Sequence, residues 1–146
     1  MRITQEADYA LRISYLLAQS GKLMDAGSIS QAVGVTDRFT VKILRKLVQS
    51  GIVTSQKGAC GGYMLAVSPS EVSMRQILEI IDGPLVISRC LETEYECSRT
   101  GEKKHCCTFH RIFDRLSKSL VDKLDTVTLD RVIGENVDIE TILSNI

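Results

Sequence analysis

The most constraining stretch of the chain is residues 25–67, where two short amphipathic segments joined by a glycine are followed at once by two β-forming runs. Ile29, Ala32 and Val33 give the first segment an apolar side, Gly34 allows a sharp turn, and Thr36 or Asp37 can cap the second segment. That second segment runs through Val41, Ile43, Leu44 and Leu47, spaced to face a core, and ends at Gly51. Arg38, Phe39, Lys42, Arg45 and Lys46 fall on its outer faces. Two helices across a tight glycine turn, the second basic, describe a DNA-binding helix-turn-helix, although any helical hairpin with a solvated basic face has the same pattern. Residues 52–56 and 63–67 then read as strands around the turn Lys57-Gly58-Ala59-Cys60-Gly61-Gly62. A hairpin directly behind a recognition helix is a wing. Gly58, Gly61 and Gly62 would let its tip approach a phosphate backbone, and Lys57 supplies a cation.

The flanking segments read as helices. Thr4 can cap a helix over 4–20, with Glu6 and Asp8 at the positive end of its dipole and Gly21 at its stop. Ala7, Ala10, Leu11, Ser14, Leu17 and Ala18 form its apolar stripe, widened by Ile13 and Leu16. Ser73 caps a helix over 74–82, which Gly83-Pro84 ends, and residues 85–106 have no sustained period and read as a loop. From about 107 to 124 the pattern is again helical, with Phe109, Ile112, Phe113, Leu116, Leu120 and Leu124 along one face. This helix lies outside the winged helix, so a second copy of the chain is its expected partner; folding back on its own domain is the alternative. Short helical pieces are expected at 128–133 and 138–146. The expected fold is mainly α with one small β-hairpin. Its expected organisation is a winged helix-turn-helix over 1–82, a cysteine-bearing loop over 83–106, and a dimerisation helix with a helical tail over 107–146.

Charge agrees with that division. The 146 residues carry 18 basic and 18 acidic side chains, yet residues 1–62 hold eight basic and four acidic ones, and residues 63–146 hold ten and fourteen. A basic front half behind a neutral total points to a polyanion-binding half. An apolar share of 44% with 25% charged residues excludes a disordered or collagen-like chain. No apolar run approaches the ~18 residues of a membrane span, and Met1-Arg2-Ile3-Thr4 opens no signal-peptide pattern. A soluble, cytoplasmic protein without a membrane partner is therefore expected.

Four of the five cysteines, Cys90, Cys97, Cys106 and Cys107, fall within eighteen residues, and His110 comes three positions later. Clustered thiols without an export signal indicate metal ligands or redox groups rather than disulfides. Thiolate and imidazole suit zinc or iron–sulfur clusters. Structural zinc favours paired cysteines two to four residues apart, and no such knuckle occurs here, so a cluster is preferred. Cys60, in the wing, reads as a bystander and His105 as solvated. His110 fits an ordinary surface histidine as well as a ligand, and Asp8 a helix N-terminal charge. Cys–His catalysis would need an acidic orienter and an oxyanion motif, and neither stands out, so no enzyme and no small-molecule substrate are expected.

Met1-Arg2-Ile3-Thr4…Asp8-Tyr9-Ala10-Leu11-Arg12, Ile29…Gly34-Val35…Leu47…Gly51-Ile52-Val53, the wing Lys57-Gly58…Gly61-Gly62-Tyr63, the thiol loop, and Leu124…Thr128-Leu129 together resemble the IscR/NsrR family of bacterial transcription regulators. The resemblance runs through nearly the whole chain in the same order. The glycine-rich wing followed by the thiol loop is its specific part.

The resemblance implies a homodimer on a double-stranded DNA operator, with an iron–sulfur cluster near the dimer interface controlling the binding. Cys90, Cys97 and Cys107 fall on the three cluster cysteines, with Cys106 as an extra thiol or the alternative third. The fourth ligand is His110 in the IscR pattern or Asp8 of the partner subunit in the NsrR pattern. The first helix and the tail 124–136 lean toward NsrR, and with it toward a four-iron rather than a two-iron cluster. The spacing between Cys97 and Cys107 is longer than the family's usual one.

The expected function is a DNA-binding regulator, a repressor, responding to redox state, nitric oxide or cluster supply. Thr36, Arg38, Phe39 and Lys42 are its expected DNA-reading residues, with Lys57 and the wing glycines on the backbone or minor groove. A zinc- or thiol-based regulator on the same fold and a cytosolic thiol enzyme are the rival readings.

Overall fold

Thr4 takes an extended backbone, and its hydroxyl accepts from the Ala7 amide at 3.2 Å, which sets the start of the first helix. The computed structural model describes residues 2–58, 60–98, 107–134 and 137–144. Within them the order is α1 (Gln5–Ser20), α2 (Ala26–Val33), α3 (Asp37–Gln49), β1 (Val53–Gln56), β2 (Gly62–Leu65), α4 (Met74–Asp82), α5 (Thr108–Thr126), α6 (Leu129–Val132) and α7 (Ile139–Ser144). Single 3-10 turns stand at Pro69–Glu71 and Arg89–Leu91. The fold is mainly helical with one two-stranded antiparallel hairpin, as the sequence pattern implies.

The helix-turn-helix is built from local signals. Asp25 caps α2 by accepting from the Ser28 amide at 2.9 Å, and Gly34 ends it at φ +74°, a conformation that side-chain-bearing residues rarely adopt. Inside α2, Ser30 is buried while Ala32 is exposed, contrary to the apolar pattern. The Ser30 hydroxyl donates to the Gly27 carbonyl and to Asp37, tying α2 to the first turn of α3. α3 then buries Thr40, Ile43, Leu44 and Leu47.

Ile43, Leu44 and Leu47 meet Ala10, Ile13 and Leu17 of α1, Ile29 of α2, Val53 of β1 and Ile77 of α4 in one core. Each fully buried aliphatic side chain there contributes about 1.5–3 kcal/mol of transfer free energy. Ser73 caps α4 reciprocally with Gln76, accepting from its amide at 3.2 Å and donating its own amide to Oε1 at 2.9 Å. The N-terminus of α1 is fastened to the end of α4, because the Thr4 amide and hydroxyl both donate to Asp82, at 3.1 and 2.5 Å.

The segment after α5 returns to this body. The Met74 amide donates to the Val127 carbonyl and the Leu129 amide to the Val72 carbonyl, at 2.8 and 2.9 Å. Leu129 is buried in the same core as α1 and α3. α5 itself has two apolar sides. Val121 and Leu124 pack on Ala7, Leu78 and Leu85, and the Ser117 hydroxyl accepts from the Ile87 amide at 3.1 Å. Phe109, Ile112 and Leu116 remain exposed. At about 100° per residue the expected six-residue face is too wide for one neighbour, so its two edges are used differently. Phe113 and Leu120, between the edges, are half-buried.

Candidate nucleic-acid interface and thiol loop

Thr36, Arg38, Phe39, Val41, Lys42 and Arg45 line one open concavity along α3. Thr36 is exposed at the N-cap and makes no side-chain cap bond, and Arg38 and Arg45 form no ion pair among the described residues. Lys42 differs. Its Nζ lies 2.7 Å from Glu6 Oε2, and Lys46 Nζ lies 2.7 Å from Oε1 of the same carboxylate. Burial opposes ionisation of Glu6, but hydrogen bonds and charge attraction from Lys42 and Lys46 outweigh it and hold the carboxyl below its ordinary range. Phe39 is also engaged. It meets the Tyr9 ring edge-on at a centroid distance of 5.9 Å, is half-buried against the core, and carries Lys42 Nζ 5.4 Å from its own ring. Phe39 therefore packs one edge against α1 while it still lines the concavity with Thr36, Arg38 and Lys42.

The wing pairs Val53 with Leu65 and Gln56 with Gly62. Lys57 and Gly58 are exposed at its turn, which closes through the Gly61 amide on the Gly58 carbonyl at 3.0 Å. A Cβ at Gly61 would strike the backbone of its own hairpin. One at Gly62 would lie 2.5 Å from the Met24 carbonyl oxygen. That crowding arises because Tyr63 and Met24 exchange both backbone hydrogen bonds, at 2.8 and 2.9 Å. The reason the fold gives these two positions for glycine is thus internal packing. Cys60 is exposed in the turn.

Cys90 and Cys107 lie in the chain between the winged helix and α5. Cys90 sits in the Arg89–Leu91 turn with Sγ 3.2 Å from the Ser88 hydroxyl, and Cys107 occupies the N-cap of α5. Cys90, Cys97 and Cys107 are all half-buried and none is in a disulfide. His110, one turn into α5, has a buried Nδ1 with no hydrogen-bond partner. It borders a groove with Arg75, Leu85, Asp114 and Val121. Asp8 lies on α1 in an ion pair with Arg12 at 2.8 Å. Cys106 and His105 lie outside the described residues.

The model of the Rrf2 family, described as an iron-dependent transcriptional regulator, matches residues 3–135. The chain belongs to the Rrf2 family. It is 28% identical to the HTH-type transcriptional regulator IscR of Pectobacterium carotovorum over 137 residues, spanning 92% of this chain and 80% of that one. It is 24% identical to the HTH-type transcriptional regulator NsrR of Bacillus licheniformis over 151 residues, spanning 99% of this chain and all of that one. Relatives of both names thus match at similar identity, and the lean toward NsrR gains no support over IscR. Among solved structures, CymR, the global cysteine regulator of B. subtilis, shares the fold with a TM-score of 0.71 at 22% identity, covering 90% of this chain and 95% of that one. This Rrf2 protein is accordingly a DNA-binding transcriptional regulator and not an enzyme. No helix of the described residues is long and apolar enough to cross a membrane.

The donor chemistry of the thiol loop fits an iron–sulfur cluster: three thiols, and an imidazole nitrogen that is buried yet unpaired. Among the described residues no three Cys, His, Asp or Glu side chains are gathered around one point. Two structural features escape the sequence pattern. The first is the Glu6 clamp, which joins residues 36 and 40 positions apart through tertiary packing. The second is the Ser117–Ile87 hydrogen bond, whose donor lies thirty positions before its acceptor in the chain.

Proposed function

We propose that the chain is a homodimeric, cytoplasmic repressor whose DNA binding responds to an iron–sulfur cluster held at the thiol loop. Residues 1–82 would form the DNA-binding unit, 83–106 the sensing loop, and 107–146 the dimerisation helix and tail. The observation that carries the proposal is the position of the thiols. Cys107 stands at the first turn of α5, and Cys90 sits three residues from Ile87, whose amide is anchored on Ser117 of the same helix. A change in how these thiols are tied therefore acts on the orientation of α5 relative to α4, and so on the two winged helices that α5 would join.

Thr36, Arg38, Phe39 and Arg45 would address the major groove, with Lys42 beside them in its pair with Glu6. Lys57 and Gly58 would meet the sugar-phosphate backbone, with Gly61 and Gly62 shaping the wing that presents them. Cys90, Cys97 and Cys107 would hold the cluster, Cys106 being the alternative third thiol. The unpaired His110 Nδ1 supports imidazole as the fourth ligand over Asp8 of the partner subunit, since Asp8 is already paired with Arg12. When bound, such a cluster supplies an oxidation- and nitric-oxide-sensitive cross-link among these side chains.

Anaerobic purification with iron and sulfide analysis and a visible spectrum tests the ligand set. Cys90→Ser, Cys97→Ser and Cys107→Ser should each abolish the colour, and Cys106→Ser should keep it. About two irons per chain with loss in His110→Ala would fix the imidazole form, and about four with loss in Asp8→Ala the carboxylate form. A colourless wild-type protein would overturn the cluster. It would leave the thiol-based regulator on the same fold.

A further inference from the structure

Glu6 stands at the first turn of α1, beside the DNA-facing helix, and each of its carboxylate oxygens takes one lysine of α3. Its side chain is only 18% exposed, whereas Lys42 and Lys46 are 54% and 35% exposed, so a half-buried carboxylate holds two lysines that reach it from the surface. A lysine held this way cannot meet a phosphate without breaking its pair or carrying the Glu6 charge toward the polyanion. Arg38 and Arg45, on the same helix, carry no such load among the described residues.

We propose that Glu6 sets DNA specificity by withholding Lys42 and Lys46 from the phosphate backbone. The sequence-independent part of DNA affinity grows with the number of phosphates neutralised, whereas base reading depends on the arginines that remain. Glu6 thus lowers affinity for random DNA more than affinity for an operator, and widens the ratio between them. The opposite role, in which Glu6 orients the two lysines toward phosphates, predicts the opposite sign. The proposal rests on α3 being the helix that faces DNA.

The test is a salt titration of binding to a short duplex of random sequence. Glu6→Gln should bind more tightly and steepen the log–log salt slope by about 0.9 to 1.8, one phosphate contact for each lysine released. Adding Lys42→Gln and Lys46→Gln to Glu6→Gln should return the slope to the wild-type value. In the wild-type background the same two lysine changes should leave the slope nearly unaltered. Those lysine variants keep the test open should Glu6→Gln prove unstable, which thermal melting would reveal. A slope that stays flat or falls in Glu6→Gln, or one that drops by a full contact for each lysine lost from wild type, would overturn the proposal. Arg45→Gln reads the DNA-facing role of α3 separately. If it does not weaken binding, that role fails and the proposal falls with it.

Discussion

The exposed side of α5 is the feature whose removal has the most calculable effect. Phe109, Ile112 and Leu116 are 63%, 47% and 53% exposed and succeed one another along a single edge of the helix. A fully buried aliphatic or aromatic side chain is worth about 1.5–3 kcal/mol, so burying the exposed half of Leu116 is worth about 0.8–1.6 kcal/mol in each protomer. In a two-fold dimer the loss is counted twice. Leu116→Ala should therefore raise the dimer dissociation constant about 10- to 200-fold, and Ile112→Ala by a similar factor. Sedimentation equilibrium across a range of concentrations reads this directly, while the far-UV spectrum should not change, because neither side chain belongs to the core. A wild-type protein that is monomeric at micromolar concentration, or a Leu116→Ala variant that dimerises as tightly as wild type, would refute the assignment of this edge to a second copy of the chain.

Packing fixes two further outcomes. Gly62→Ala places a Cβ 2.5 Å from the Met24 carbonyl, so it should cost about 1–3 kcal/mol as overpacking and lower the urea midpoint. A midpoint equal to wild type would mean that the wing can move off the loop before α2. Leu129→Ala should cost about 2–5 kcal/mol in the same assay, since Leu129 is 2% exposed within the core of the winged helix. A loss below about 1 kcal/mol would show that α6 is not part of that core.

Much of the fold is legible because its signals are local. Thr4, Asp25 and Ser73 cap helices through bonds to residues three positions ahead. Gly34 marks the turn between α2 and α3, and the wing comes after α3 as the alternation of residues 52–67 implies. The features that escape are tertiary. Phe39 and Lys42 look like free outer residues of a basic helix, yet Tyr9 and Glu6, at least thirty positions earlier, claim both. Gly62 looks like a flexible wing residue, but the Met24 backbone dictates it. The apolar face of α5 reads as one stripe, and only the placement of Leu85 and Ile87 beside Val121 and Ser117 divides it into an inner and an outer edge. The thiol spacing identifies the type of donor. It cannot say which thiols converge, because that depends on the path of the loop between Cys97 and α5.

In the proposed function the state of the thiol loop controls DNA binding. The most direct test of that control is a pair of titrations of DNA fragments selected from the protein's own genome. One uses anaerobically purified protein and the other the same protein stripped of iron by a chelator, at one fixed salt concentration. The account predicts affinities that differ by at least about tenfold, a coupling free energy of about 1.4 kcal/mol. Equal affinities for the two forms would contradict it.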